Sequence, residues 1–352
     1  MTRRINDVAS AQPMRIGFLN NQICERGSTW QAYLYAKYAR DLLGHSTAVL
    51  YPTRGYMYNN SAWTRLTRLW LSPFSAKYRK KISVPYDAKM AEKITREGME
   101  LIRVPLWGDF RRFDAIHHFK WGTRDAFRPR GAAYWVHAVF DASQPHGDRY
   151  AAVSRWLGRR DGVPFVPNLI EVANDSENLR AELGIPADAV VFGRYGGRDT
   201  FDLPWVWEAI AQVLAQRNNI FFLFANTEVK LRHERILNLP TMYDGEVPLE
   251  IQKRRFVNTC NAMLHARERG ETFGIAVGEF AVCGKPVLTY ARSPERAHLD
   301  MLRHPILYHD AAELKRAIEK VASGDAPSED GGAYRDCTPQ NVMKMFDEVF
   351  IR

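Results

Sequence analysis

Residues Arg269–Tyr290 read RGETFGIAVGEFAVCGKPVLTY. Glu271 stands in a loop just before a helical run, and Glu279 falls on the helix itself. Thr272, Phe273 and Gly274 are expected to form the helix start, where unpaired N–H groups and the positive end of the peptide dipole suit an anionic ligand such as a diphosphate. A carboxylate beside that terminus can accept hydrogen bonds from sugar hydroxyls. Gly274 allows close backbone approach, and Gly278 leaves room on the packed face. An ordinary helix with an acid near its N-terminus accounts for Glu271 alone. It does not account for Glu279, whose neighbours Ile275, Ala276, Val277, Phe280, Ala281 and Val282 are apolar; a carboxylate in such company needs a partner.

Gly284 stops this helix, and Pro286–Tyr290 reads as the following strand. Upstream, strands are expected at Val190–Arg194, Ile220–Ala225 and Ala262–Ala266, with a helix over Leu203–Gln216 that carries Pro204 in its first turn, where a missing N–H costs little. Ala311–Ser323 is amphipathic, and Pro339–Phe350 is a last helix. The first half repeats the alternation. Met14–Asn20, Thr47–Leu50, Ala115–His118, Ala133–His137 and Ala151–Ser154 are strand candidates, and Thr29–Leu43 is a helix ended by Gly44. Strand–helix alternation of this kind implies parallel sheets covered on both faces. Pro164, Pro167 and Asn168 mark a boundary, so domains are expected at 1–168 and 169–335, with 336–352 a helix that crosses back to the first. Two doubly wound units place a ligand at the carboxyl ends of their strands, in a cleft between them.

The chain of 352 residues carries a formal net charge of +9. That charge is uneven: residues 1–168 hold 27 Lys/Arg against 13 Asp/Glu, a net of +14, and the remainder nets −5. An anionic partner on the first half follows from this asymmetry. Trp63–Ile82 mixes aromatic and basic residues, with Trp63, Leu66, Leu69 and Trp70 on one helical face, and suggests either a buried helix or peripheral contact with an anionic membrane through Arg79, Lys80 and Lys81. No apolar run approaches the roughly 18–20 residues of a membrane span, and the leader Met1–Asp7 lacks the apolar core of a secretory signal. Cys24, Cys260, Cys283 and Cys337 are scattered without a Cys-x-x-Cys, as in a reduced, cytoplasmic protein. There is no Asp-x-Asp, His-x-x-x-His or Walker loop, so no metal site and no cofactor are expected.

The segment Glu271-Thr272-Phe273-Gly274 … Glu279-Phe280-Ala281-Val282-Cys283-Gly284-Lys285-Pro286-Val287 resembles the E-x7-E signature of retaining glycosyltransferases of the GT-B fold, family 4 in particular. Ala152-Val153-Ser154 with Phe165-Val166-Pro167-Asn168 resembles the family's exit from its first domain, and Leu179–Ile185 with Val190–Arg194 its entry to the second. The resemblance covers about the C-terminal two-thirds; the first 130 residues match only in strand–helix order. It implies an α/β fold of two Rossmann-like, doubly wound domains facing a cleft, and transfer of a sugar from a nucleotide-sugar donor, such as a UDP- or GDP-sugar, to a hydroxyl of a glycan or lipid-linked acceptor.

The resemblance also assigns roles. Glu271 would contact the donor sugar near the reacting centre. Thr272, Phe273 and Gly274 would hold sugar and diphosphate, and Glu279 the ribose hydroxyls. Arg194 would bind phosphate; the family's Lys follows its Arg by five residues, whereas Arg198 follows here by four. In the first domain, Gly27 and Ser28 occupy the loop after the first strand, where the family often has two glycines, and Gly27 is expected to permit an unusual turn while Ser28 caps the helix or donates to phosphate. His137, at the end of a strand, resembles the family's first-domain histidine near the donor sugar. Another GT-B enzyme, such as a nucleotide-sugar epimerase or a phosphorylase, is the alternative reading. Nucleic-acid binding through the basic half ranks below these, because it leaves Glu271 and Glu279 without a role.

Overall fold

A computed structural model describes residues 12–53, 70, 73, 84–105, 107–125, 127–242 and 245–352. Apart from Trp70 and Pro73, the Trp63–Ile82 stretch lies outside the described residues. The chain divides into two units, one running to Leu169 and completed by Pro339–Arg352, the other continuous from Ile170 to Thr338.

In unit 1 the elements are β1 (Arg15–Asn20), α1 (Gly27–Asp41), β2 (Ser46–Pro52), α2 (Ala88–Arg96), β3 (Glu100–Val104), β4 (Trp107–Asp109), β5 (Ala115–Lys120), β6 (Arg128–Arg130), β7 (Ala133–Ala138), β8 (Arg149–Ala152) and α3 (Arg155–Asp161). Six strands form one sheet in the order β3-β2-β1-β5-β7-β8, and every pairing in it is parallel. The central strands are buried along almost their whole length because helices and loops cover both faces; all six residues of β5 are buried. Gly17 permits the close packing of β1 on its neighbours, since a Cβ there would lie 2.5 Å from Leu50 Cδ1. Ser154 starts α3 by accepting the Leu157 amide at 3.1 Å.

Unit 2 contains β9 (Val190–Tyr195), α4 (Pro204–Gln216), β10 (Ile220–Ala225), β11 (Ile236–Leu239), α5 (Leu249–Thr259), β12 (Ala262–His265), β13 (Gly270–Glu271), α6 (Ile275–Val282), β14 (Val287–Tyr290), β15 (Glu295–Arg296), α7 (Ala297–Met301), β16 (Ile306–Tyr308), α8 (Ala311–Ala322) and a 3-10 turn at Gly332–Asp336. Its sheet runs β11-β10-β9-β12-β14-β16, again parallel throughout. Phe192, Phe222, Leu264 and Leu288 of the sheet pack with Val206 and Ile210 of α4 and Leu314 and Ile318 of α8. The chain then enters α9 (Pro339–Phe346) and a π turn, Asp347–Ile351, which belong to unit 1: the Phe346 ring lies tilted against Phe18 at 6.0 Å, and Phe350 meets His117 edge-on at 4.8 Å.

The helix expected to start at Thr272 begins instead at Ile275, because Gly274 takes a left-handed φ of 85° as its N-cap. Thr272 and Phe273 are thereby left outside the helix. Gly278 does face a packed surface: a Cβ would come within 2.5 Å of Tyr334 Cδ1 and 2.8 Å of Ile170 Cδ1. Gly278→Ala should therefore cost about 1–3 kcal/mol by overpacking, read as a lowered midpoint in thermal or urea unfolding; an unchanged midpoint would show that Tyr334 moves aside freely.

Candidate functional site

Three adjacent strands of unit 2 end in polar residues. Arg194 sits near the end of β9, His265 ends β12, and Thr289 lies one residue before the end of β14. In a doubly wound sheet the carboxyl ends of the strands are where ligands bind. Past β12 the chain returns through Gly270, whose φ of 76° and close approach to the Glu295 carbonyl (2.1 Å from a would-be Cβ) require glycine. This turn pairs β13 with β15 and delivers Glu271 beside the start of α6, its Cβ 3.4 Å from where a Gly274 Cβ would stand.

Glu271 is clamped on both oxygens. Arg267 Nη1 donates to Oε2 at 2.6 Å, and His265 Nε2 lies 3.3 Å from Oε1. Burial alone would raise its pKa, but the His265 hydrogen bond and the Arg267 charge outweigh it and hold the carboxyl at about 2. Its side chain keeps 22% exposure, so an ionised carboxylate is presented to solvent.

Arg194 is buried, at 4% exposure. Its guanidinium donates to Thr227 Oγ1, to the Gly197 carbonyl at 2.9 Å and to Thr200 Oγ1 at 2.5 Å. Three of the five N–H groups are so engaged, and the Gly196–Gly197 turn is wrapped around the side chain. Burial lowers its pKa to about 10, with Glu271 pulling the other way; it stays cationic at neutral pH. Arg198 is exposed. The second cation beside Glu271 is Arg267, a residue sequence reasoning missed. His265 was missed as well, although a polar residue ending the apolar strand AMLH was a readable signal.

Glu279 belongs to a separate grouping. At 3% exposure it receives Lys253 Nζ on Oε1 at 2.7 Å and the Tyr195 hydroxyl on Oε2 at 2.6 Å. Burial and the adjacent Glu279 push the Tyr195 phenol well above its ordinary pKa, so it remains a donor. Tyr195, Lys253, Arg254 and Glu279 line a small, half-open pocket. Thr272 and Phe273 are nearly fully buried, and the Phe273 carbonyl accepts from the Tyr334 hydroxyl at 2.5 Å.

Unit 1 departs from expectation at two places. Gly27 is simply the first residue of α1, without a left-handed φ, so no unusual turn depends on it. Ser28 does not cap the helix, which starts after Arg26 with no side-chain cap; its Oγ accepts from Gln22 Nε2 at 3.0 Å. Thr29 organises the loop, accepting from Asn20 Nδ2 at 3.0 Å. His137 has 0% exposure among Tyr35, Phe119 and Phe350, with Nε2 2.8 Å from the Val166 carbonyl. Burial lowers its pKa to about 4. That places it in the core of unit 1 as a neutral packing residue and corrects the expectation that it meets a sugar. Among the described residues no cluster of His, Cys, Asp or Glu could hold a metal ion, and no helix is long and apolar enough to cross a membrane.

No protein-family model matches the chain, and no curated protein matches it in sequence. Solved structures do. HepE of Anabaena in complex with UDP-glucose shares 14% identity at a TM-score of 0.57, over 96% of this chain and 98% of that one. A glycosyltransferase from Rickettsia africae matches at 11% and 0.58, over 96% and 95%. WaaG, a glycosyltransferase involved in lipopolysaccharide biosynthesis, matches at 11% and 0.54, over 95% and 99%. The chain has the GT-B fold. Within that GT-B chain, the Glu271 and Glu279 groupings both lie in unit 2.

Proposed function

We propose that the protein is a retaining glycosyltransferase, similar to family 4, that moves a sugar from a nucleoside-diphosphate donor to an acceptor hydroxyl in the cytoplasm. The observation that carries this reading is the ionised Glu271, held by Arg267 and His265 beside the N-terminus of α6 and near the buried Arg194. The neighbouring HepE, crystallised with UDP-glucose, supports a nucleotide-sugar donor.

In this reading the diphosphate faces Arg194, Arg267 and the first amides of α6, which stabilise charge developing on the leaving group in place of a metal ion. Glu271 accepts from a sugar hydroxyl and faces the positive charge that grows at the anomeric carbon. The anomeric C–O bond breaks, and its electron pair goes to the diphosphate. The acceptor oxygen bonds to the anomeric carbon on the same face, and its proton passes to a phosphate oxygen. Glu279, aligned by Lys253 and Tyr195, offers its remaining lone pairs to the ribose hydroxyls. The positive net charge of the first 168 residues favours an acceptor carrying negative charge, such as an acidic glycan or a lipid-linked phosphate.

A thermal-shift screen of UDP-, GDP-, ADP- and dTDP-sugars, followed by product analysis, tests the reading. Ligand at a hundred times its Kd stabilises by about 2.7 kcal/mol, or roughly 5–10 °C for a unit of this size. One nucleotide class should give that shift, and its sugar should appear on an added acceptor. An isomerised donor or a sugar phosphate would identify an epimerase or a phosphorylase instead, and no shift with any donor would remove the proposal.

A further inference from the structure

Behind Glu271 lies a line of polar side chains that the proposed chemistry does not use. His265 Nδ1 is 2.9 Å from Thr289 Oγ1, and Thr289 Oγ1 is 3.0 Å from His298 Nε2. Thr289 and His298 have 0% exposure, and His298 Nδ1 has no hydrogen-bond partner. Thr289 comes from β14, His265 from β12 and His298 from α7, so three elements converge on one carboxylate. We infer that Thr289 and His298 are positioning residues which, through His265, fix the orientation of the Glu271 carboxylate; the inference rests on the reading of Glu271 as the acid that meets the sugar.

Counting protons determines the wiring. The Glu271 carboxylate is ionised and can only accept, so His265 Nε2 carries the proton and donates. Thr289 has one hydroxyl proton and stands between two ring nitrogens. With it directed at His265 Nδ1, the hydroxyl oxygen accepts from His298 Nε2–H, and the unpartnered His298 Nδ1 is a bare lone pair. With the hydroxyl reversed, His265 would be an imidazolium and His298 would bury an N–H with no acceptor, the rarer arrangement in folded proteins. Burial lowers the His298 pKa to about 3, in keeping with an uncharged ring. Arg267 and Arg296 are the cations whose charges reach His298, and Arg267 already balances Glu271. Each ring nitrogen in the line but the last therefore has a defined partner, so the His265 ring cannot turn without breaking two hydrogen bonds. That is the behaviour expected of an outer partner that locks the rotamer of a working group.

Two measurements on the full chain test this. Long-range proton–nitrogen spectra of the 15N-histidine-labelled protein, with His265→Gln and His298→Gln used for assignment, should show both rings protonated at Nε2 and bare at Nδ1 near neutral pH. A proton on Nδ1 of either ring overturns the wiring. Thr289→Val keeps the shape of the side chain and removes the hydroxyl; it should lower kcat on the order of 10–100-fold, the scale on which misplacing a reacting group acts, with donor KM nearly unchanged. Thr289→Ser should restore most of the loss. Wild-type turnover in Thr289→Val, or no rescue by serine, also overturns the role. The tautomers are read without any donor, so absence of transfer in the wild type would count against the proposed reaction and not against the relay.

Discussion

Replacing Glu271 with alanine should reduce sugar transfer on the order of a thousandfold while the protein still folds. The size follows from the loss of a pre-oriented charge facing the developing positive centre, in a site where that charge is already partly shielded from water. The fold should survive because Glu271 lies in the two-residue strand β13, outside the six-stranded sheet. Glu271→Gln preserves the shape and removes the charge, so it should lose nearly as much activity. The same variant reads the electrostatics of the clamp. The folded pKa is depressed from an ordinary 4.5 to about 2, so the carboxylate stabilises the folded state fully above the ordinary value and loses that contribution as the pH falls from 4.5 towards 2. The melting temperature of wild type should exceed that of Glu271→Gln at pH 6, and the gap should close across that window. Near-normal turnover in Glu271→Ala, by product assay with circular dichroism as the fold control, would remove Glu271 from the centre of the reaction.

The second large effect is expected at Arg194. Arg194→Met should weaken nucleoside-diphosphate binding by about 10–100-fold, the equivalent of losing one charge-assisted hydrogen bond worth about 1.5–3 kcal/mol. The guanidinium is pinned by Thr227, Thr200 and the Gly197 carbonyl, and a pinned fork sacrifices little further freedom when a diphosphate arrives. Lysine restores charge without the planar fork, so Arg194→Lys should fall between methionine and wild type. Isothermal titration with the nucleoside diphosphate alone separates this from catalysis. Equal affinity in Arg194→Met would assign the residue to holding the Gly196–Gly197 turn and nothing more.

Much of this was legible in the residues. β10 was read at its observed bounds, Ile220–Ala225, and β9 to within one residue, because strands buried on both faces leave continuous apolar runs. Glu279 was legible for a related reason: a carboxylate surrounded by apolar neighbours had to find donors, though nothing in its neighbourhood named Lys253 or Tyr195. The start of α6 was misread because the left-handed φ of Gly274 is a conformation that a glycine permits and does not announce. α5, with its sequence LEIQKRRFVNT, went unseen because charges interrupt its apolar spacing, and β11 and β16 are short strands at the sheet edges. His137 misled for the opposite reason. At a strand end a histidine can face a ligand or the core, and Tyr35, Phe119 and Phe350, the last arriving from the far end of the chain, place it in the core.

That arrival has a consequence for synthesis. Unit 2 is one uninterrupted stretch, complete in sequence before Pro339 is added, so it can close its own core while the nascent chain is still growing. Unit 1, although begun first, waits with Phe18, His117 and Trp135 uncovered until Phe346 and Phe350 emerge. The order of maturation therefore runs against the order of translation.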